Sequence, residues 1–423
     1  MLKALKNQKV GKPAAPARAR LASRHLSRVL GVAAWCVMLF VFYRLLDRKP
    51  VEPSRLSKGV LAQSIGPAVA SGEFPAQIEV DLPPGHLRAK ASYTLNPEHQ
   101  HRIEKLLSSY RPDYAAFVAL DATTGRVLVL SSYTHAKESE PQNLALKASF
   151  PAASIFKIVT AAAAIDQGVM SADTIIPFNG ANHTLYRRNV TDQKLNRWTR
   201  QITLRDAFAR SVNTVFAKIG MYVLEPPQLK DYAERFQFNK RIPADMPVEA
   251  GQLQAPGEDP WGLAEMASGF NRMSSMSPLQ GAMIAAAVVN DGVMMEPYVV
   301  EGLQSDSGEI LYQANPSPTA ITMKPETAEE LRTMMNETVR SGTSRSAFRT
   351  LLRKKYIENL EIGGKTGSLR GQNPQGKCDW FVGYAKSADQ RIAIAALTVN
   401  RDLWRVKASY LARVFLEEYF RPR

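Results

Sequence analysis

The chain has 423 residues, of which 45% are hydrophobic and 22% charged, a composition that supports a sizeable core in one large or two moderate domains. The net charge is +15, but the first 50 residues, with five lysines, six arginines and Asp47 as their one acid, already carry +10 of it. This basicity marks a terminal tail rather than a nucleic-acid-binding face. The two cysteines, Cys36 and Cys378, are too few and too separated for a disulfide framework.

Charge and hydropathy divide the N-terminal region into three parts. Residues 1–28 are basic without any acid, which predicts a disordered cytoplasmic tail. Residues 29–46 are apolar apart from Arg44, and 18 helical residues reach about 27 Å, enough for a thin membrane span. Six prolines between positions 50 and 84 predict an extended tether over 47–91. A cleaved signal peptide is the alternative to the anchor, but no small-residue cleavage site follows closely.

From residue 78 onward, within the end of the tether and beyond it, strand and helix patterns alternate. Ile78, Val80 and Leu82 predict one short strand, and Asn96 predicts the start of a helix at Pro97. Apolar runs on either side of a turn at 121–125 predict a hairpin. Further segments read as helices or strands by their periodicity and end signals: helices at 279–289, 325–340 and 409–420, and strands at 362–369, 379–385 and 391–399.

Ser154 and Lys157 lie three residues apart at the start of a small-apolar run that has no helix breaker before Gly168. On the predicted helix, positions i and i+3 share a face, so the two side chains can meet. A serine hydroxyl needs a base to become nucleophilic, and a lysine can be that base only when its ammonium is neutralised. The spacing alone is also common on solvated helix faces.

Two later stretches add support. Ser211 and Asn213 follow a helical segment and, taken alone, are equally typical of a helix cap. The second stretch offers a cation, two hydroxyls and a position without a side chain, and it follows two further glycines: Lys365, Thr366, Gly367 and Ser368. Taken alone, it could be a strand that ends at a glycine turn; functionally, it could hold a substrate along the strand.

In this order and spacing, the three motifs resemble the active-site set of the penicillin-binding protein transpeptidase family, within the serine D,D-peptidase and β-lactamase-like superfamily. The resemblance runs from about Ser92 to the C-terminus. It includes other blocks that look like those of the family, among them 93–97, 117–121, 277–280 with 290–292, 341–343 and 379–384. Ser368 stands where many relatives carry threonine, and either residue supplies a hydroxyl.

The resemblance implies a role for each motif residue. Ser154 would be the acylated nucleophile, and Lys157 its base, kept neutral partly by the nearby cation Lys365. Ser211 would relay a proton to the leaving amine, and Asn213 would bind the substrate amide. The remaining residues would hold the substrate's terminal carboxylate at the strand, with backbone N–H groups of Ser154 and Ser368 as the oxyanion hole: Lys365, Thr366, Gly367 and Ser368.

The resemblance also implies the architecture: an α+β fold with a central antiparallel sheet flanked by helices, a helical subdomain, and one N-terminal transmembrane helix. The catalytic domain would cover 92–423, with no metal or cofactor. The positive-inside rule predicts a single-pass protein of the cytoplasmic membrane whose catalytic domain lies outside, in the periplasm or extracellular space. We expect neither a glycosyltransferase domain nor a large pedestal domain before the catalytic domain. Because the glycan polymerase activity would then come from another protein, a separate glycan polymerase is the expected partner.

The predicted function is a membrane-anchored D,D-transpeptidase that cross-links peptidoglycan stem peptides and is inhibited by β-lactams; D,D-carboxypeptidase activity is compatible with the same residues. Three alternatives stay open: a serine β-lactamase, a non-enzymatic β-lactam sensor, and a cell-wall scaffold. A β-lactamase needs a group that activates water, and no motif here assigns an acid to that task. A sensor normally has several spans or a transducing domain.

Overall fold

The computed structural model describes residues 56–82, 85–135, 142–192, 194–254 and 259–422. The predicted tail (1–28) and anchor (29–46) lie outside these ranges. Within them, no helix has both the length and the apolar character that crossing the bilayer would need.

Helices in the described residues are, in chain order, α1 (Lys58–Ser71), α2 (Pro97–Tyr110), α3 (Lys157–Asp166), α4 (Arg187–Thr191), α5 (Leu204–Ala209), α6 (Asn213–Tyr222), α7 (Pro226–Arg235), α8 (Pro260–Ser268), α9 (Pro278–Val289), α10 (Pro325–Arg340), α11 (Arg345–Phe348) and α12 (Ala408–Tyr419). Short 3₁₀ turns lie at Leu144–Leu146, Ala153–Phe156, Leu351–Arg353 and Lys355–Ile357.

Strands in the same residues are β1 (Gln77–Leu82), β2 (Gly85–Tyr93), β3 (Tyr114–Asp121), β4 (Val127–Thr134), β5 (Phe150–Pro151), β6 (Ile175–Phe178), β7 (Arg200–Thr203), β8 (Ser275–Met276), β9 (Val293–Met295), β10 (Val300–Ser305), β11 (Ile310–Gln313), β12 (Pro318–Ile321), β13 (Glu361–Gln372), β14 (Gln375–Lys386) and β15 (Arg391–Asn400).

A five-stranded antiparallel sheet, in the order β13–β14–β15–β3–β4, forms the centre of the fold. Successive residues of a strand point to opposite faces, and in β3 Ala116 and Val118 join one hydrophobic core while Phe117 and Ala119 join another. Because both faces are covered, β3 reads in the sequence as an unbroken apolar run rather than as an alternating one.

The two cores differ in size and in the helices that complete them. On one face, α2 and α12 cover the sheet, and Phe415 packs against Phe117 with ring centroids 5.2 Å apart. On the other face lies the larger core, which includes α3 and α9, whose residues are all buried. The helical region around α3 therefore packs on the sheet face and borders the edge strand β13.

The central antiparallel sheet and its flanking helices confirm the predicted α+β fold. The predicted hairpin is present as β3 and β4, and α10 occupies the predicted range 325–340. The three predicted C-terminal strands are present as β13, β14 and β15, each longer than predicted.

The prediction of an extended tether over 47–91 is wrong where the chain forms helix α1, whereas the short strand predicted at Ile78, Val80 and Leu82 is present as β1. Helix α1 begins at its N-cap Ser57 and ends at Gly72, with Pro67 inside it. Leu61, Ile65 and Val69, spaced four apart, bury one helix face in the larger core. Strands β1 and β2 then extend into a four-stranded sheet with β10 and β11. The six prolines suggested an extended chain. Only one of them, Pro67, falls inside α1, and the helix continues through it.

Asp166, at the end of α3, ties this helix to two other segments. Its carboxylate accepts hydrogen bonds from Tyr232 Oη (2.6 Å), Thr327 Oγ1 (2.7 Å) and the Lys324 backbone N–H (2.8 Å). Burial alone would raise the pKa of Asp166, but these hydrogen bonds and the Lys324 charge outweigh burial and lower it.

Replacing Asp166 with alanine should lower the free energy of unfolding by about 2–4 kcal/mol, because two buried hydroxyl donors and one partly buried N–H lose a charged acceptor. Tyr232→Phe, which removes one of them, should cost about 1 kcal/mol. Since the native pKa is lowered, the contribution is present above the unfolded value of 3.8 and is lost as pH falls through the native pKa. Urea unfolding of wild type and of each variant, from pH 7 down through the native pKa of Asp166, measures this contribution to stability. Equal stability of wild type and Asp166→Ala at pH 7 would contradict the prediction.

Candidate active site

Ser154 lies in the 3₁₀ turn Ala153–Phe156, which runs directly into α3. Ala153 has a φ of 50°, a left-handed conformation that is unfavourable for a residue with a side chain. Gly269 lies against this turn, and a Cβ at that position would fall 1.9 Å from the Ala153 carbonyl oxygen. The turn that presents Ser154 therefore depends on the missing side chain at position 269.

Lys157, the first residue of α3, is fully buried, and its amine has three close neighbours. Nζ lies 2.6 Å from Ser154 Oγ, 2.8 Å from Asn213 Oδ1 and 2.6 Å from the Ser268 carbonyl oxygen. A neutral amine has two N–H groups and one lone pair. If the N–H groups donate to the Asn213 and Ser268 oxygens, the lone pair is left to accept the Ser154 hydroxyl, which is the arrangement that a nucleophile and its base require.

The protonation state of Lys157 follows from its surroundings. Burial, which is the larger cause, and the charge of Lys365 together hold the pKa of Lys157 well below its usual value. The charge of Lys365 is the smaller of these two causes. The amine therefore loses its proton far more easily than a solvated lysine does.

Lys365, on β13, is also fully buried, and burial lowers its pKa to about 7. Its Nζ donates to Ser211 Oγ and to the Thr366 carbonyl oxygen, both at 2.9 Å. Ser211 has a φ of 55° in the tight connection between α5 and α6, and Asn213 is the first residue of α6. Through this connection, Ser211 is hydrogen-bonded to Lys365 and Asn213 to Lys157.

Thr366, Gly367 and Ser368 continue β13 along the edge of the sheet. Gly367 comes close to the serine turn, since a Cβ there would lie 3.3 Å from the Ile155 backbone nitrogen. Thr366 Oγ1 lies 2.5 Å from Thr343 Oγ1, and Ser368 is exposed. Hydroxyl groups thus line the strand beside Ser154.

A cleft of about 720 Å³ separates β13 from the helical region. Six of the eight predicted site residues line it: Ser154, Ser211, Asn213, Thr366, Gly367 and Ser368. The other two, Lys157 and Lys365, lie behind the lining and reach Ser154 and Ser211 by the hydrogen bonds described above. The structure therefore brings all eight residues together.

Sequence reasoning missed other parts of the site. The His183 carbonyl accepts a hydrogen bond from Asn213 Nδ2 at 2.9 Å, and its ring lines the cleft. Burial, followed by the charges of Lys157 and Lys365, lowers the pKa of His183. The Ser268 carbonyl and Gly269 were also missed. A glycine after an apolar helical run could have marked the end of α8, but not its closeness to Ser154.

The sequence matches a known protein family. Residues 115–416 match the family model for the penicillin binding protein transpeptidase domain. The chain belongs to this family. Peptidoglycan D,D-transpeptidase PbpA of Mycolicibacterium smegmatis is 26% identical over 317 residues, which cover 68% of this chain and 62% of that protein. Stage V sporulation protein D of Bacillus subtilis is 23% identical, over 71% of this chain and 47% of that protein. The chain thus spans less than two thirds of these relatives.

Solved transpeptidase structures share the fold. The D,D-transpeptidase domain of a peptidoglycan glycosyltransferase from Eggerthella lenta matches with a TM-score of 0.66 at 24% identity, over 81% of this chain and 95% of that one. Penicillin-binding protein A from M. tuberculosis, as an imipenem acyl-enzyme complex, matches with a TM-score of 0.62 at 24% identity, over 78% of this chain and 79% of that one.

Gly269→Ala should slow acylation by a β-lactam at least about tenfold, because the new Cβ would displace the Ala153 carbonyl and with it the Ser154 hydroxyl. Gly168→Ala is the matched control. Gly168 has a φ of +70° against +66° for Gly269, but a Cβ there would meet nothing within 4 Å. Both variants share the backbone strain, so stopped-flow acylation should separate them even if their melting temperatures fall alike. Equal acylation rates would contradict the proposed dependence on position 269.

Proposed function

We propose that this protein is a membrane-anchored penicillin-binding D,D-transpeptidase that cross-links peptidoglycan stem peptides through an acyl-Ser154 intermediate. The observation that carries the proposal is the buried Lys157 amine, 2.6 Å from Ser154 Oγ, with two other oxygens arranged to occupy its N–H groups. This geometry supports a lysine that accepts the serine proton rather than one that forms a surface ion pair.

In the proposed acylation, Ser154 Oγ attacks the carbonyl carbon of the last peptide bond of the donor while Lys157 takes the hydroxyl proton. Backbone N–H groups of Ser154 and Ser368 stabilise the oxyanion, a role favoured by the close approach of β13 to the serine turn. Collapse of the intermediate breaks the C–N bond. Ser211 passes a proton to the departing amine, and its hydrogen bond to Lys365 gives that proton a source.

Lys365 and the hydroxyl groups of β13 take the role of binding the donor's terminal carboxylate. Because burial lowers the pKa of Lys365 to about 7, its positive charge is fully present only below that pH. Asn213, held between Lys157 and the His183 carbonyl, takes the role of binding the substrate amide. In the second half-reaction an amine of another stem peptide attacks the ester and the bond to Ser154 Oγ breaks. Ser154 recovers its proton from Lys157, and a proton of the attacking amine passes through Ser211 to Lys365.

A β-lactamase is the rival function, and it requires a group that activates water. Asp379 is the only acidic side chain among the described residues that line the cleft. Its carboxylate already accepts a hydrogen bond from the Ala408 backbone N–H at 2.8 Å and lies near the ammonium groups of Lys377 and Lys407. This engagement favours a trapped ester over rapid hydrolysis.

The membrane part of the proposal rests on the sequence. The basic segment 1–28 and the apolar run 29–46 support an uncleaved anchor with the catalytic region 92–423 outside the cytoplasm. A reporter that is active only outside the cytoplasm, fused after Arg423, tests this arrangement. We further propose a separate glycan polymerase as partner, which co-purification from crosslinked membranes tests.

A penicillin should form an ester on Ser154 that persists for many minutes, because Asp379, the one acid among the described cleft-lining residues, is already engaged by the Ala408 backbone N–H. Mass spectrometry of the tryptic peptide should locate the adduct, and Ser154→Ala should remove it. Labelling that survives Ser154→Ala would reject the nucleophile. Sustained hydrolysis far beyond one equivalent per enzyme would instead favour the β-lactamase.

Lys157→Arg should slow acylation by about 10²–10⁴, because arginine keeps the charge but cannot give up its proton to become a base. Lys218→Arg is a matched control, since Lys218 is also buried and its Nζ donates to the Pro177 carbonyl oxygen at 3.0 Å, away from Ser154. The control should acylate normally if it folds, which circular dichroism checks. Near-normal acylation of Lys157→Arg would place the base elsewhere.

A further inference from the structure

The cleft continues past Ser368 into a basic region. Three cationic side chains line this part together with an indole ring, and we call these four residues the basic end: Arg370, Lys377, Trp404 and Lys407. Within the described parts of the chain, none of the three cations is in an ion pair. None of the roles assigned above uses them.

The basic end is held together around Trp404. Lys377 Nζ lies 4.1 Å and Lys407 Nζ 5.2 Å from the centre of the ring, so the indole keeps both ammonium groups near one another despite their repulsion. Asp379 lies beneath them, 8% exposed. Three cations against this one acid leave the region with a local excess of positive charge that faces the cleft.

Strand direction decides which part of a substrate would reach these residues. A peptide that adds to the edge of β13 in antiparallel fashion, with its terminal carboxylate near Thr366, has its preceding residues beside 369–372. An extended peptide rises about 3.4 Å per residue, so groups one to three residues before the acylated one lie roughly 3–10 Å farther along the strand. Arg370, and Lys377 across the β13–β14 hairpin, lie in that direction.

We propose that the basic end is a subsite for a second carboxylate on the donor peptide, located before the residue that acylates Ser154. This inference rests on the proposed function. A carboxylate fits better than a neutral aromatic group, because the two lysines already occupy positions over the Trp404 ring. Since the cations are largely solvated, their preference for an anion weakens with salt.

Benzylpenicillin and carbenicillin differ by one side-chain carboxylate and are therefore matched probes for this subsite. The measurement is the second-order acylation rate constant of the full chain in detergent, at about 0.05 M and about 0.5 M salt. The test variant is Lys377→Gln/Lys407→Gln. The control, Lys105→Gln/Lys355→Gln, removes the same charge at exposed positions outside the cleft lining.

We expect the carbenicillin-to-benzylpenicillin rate ratio to fall about twofold to tenfold in the test variant at low salt, in line with two partly exposed ion pairs. The control should keep the wild-type ratio, and high salt should bring wild type toward the test variant. Lys377→Glu should lower the ratio further by repelling the probe. An unchanged ratio in both cleft variants, with normal benzylpenicillin acylation, would overturn the subsite alone. Failure of wild type to acylate with benzylpenicillin would instead overturn the proposed function, and the subsite with it.

Discussion

A lysine amine kept away from water is the constraint on which the site depends. Burying a charged ammonium is costly unless it is paired with an acid, and the neighbours of Lys157 Nζ are neutral oxygens. The neutral amine avoids that cost. Its two N–H groups and its lone pair can each form a hydrogen bond with one of the three neighbouring oxygens. The same burial that would destabilise a charged side chain thus lowers the pKa of Lys157 well below its usual value and favours an amine that can accept a proton.

This arrangement requires the fold to converge at one point. Lys157 receives one oxygen each from the serine turn, from α6 and from the end of α8. Strand β13 brings Lys365 within hydrogen-bond distance of Ser211. Two left-handed residues, Ala153 and Ser211, stand at the sharp bends that make this possible. Backbone strain of this kind persists only where the surrounding packing enforces it, and here that packing is the larger core.

Local patterns in the sequence were enough to predict most of the sheet and several helices. The range of α10 was recovered because its proline start and its amphipathic face are local signals, and the C-terminal strands were found because their apolar runs are local too. Helix α1 was missed because prolines in its surroundings outweighed the four-residue spacing of Leu61, Ile65 and Val69. The eight motif residues were predicted only through a family resemblance, and the fold brings them together at one cleft. The Ser268 carbonyl and Gly269 could not be found, because a backbone group 111 residues from Lys157 leaves no mark in the local sequence.

The cleft divides into two ends with different physical character. Around Ser154, the lysines are buried and tied by short hydrogen bonds, so a small displacement would break the alignment that the chemistry needs. At the other end, Trp404 is 42% exposed and the neighbouring cations reach into solvent. If the proposed subsite holds substrate there, changes in the segment between β15 and α12 alter recognition while leaving Lys157 and its partners in place. The two ends of the cleft therefore differ in burial: the lysines beside Ser154 and Ser211 are enclosed, whereas the residues around Trp404 are open to solvent and to substitution.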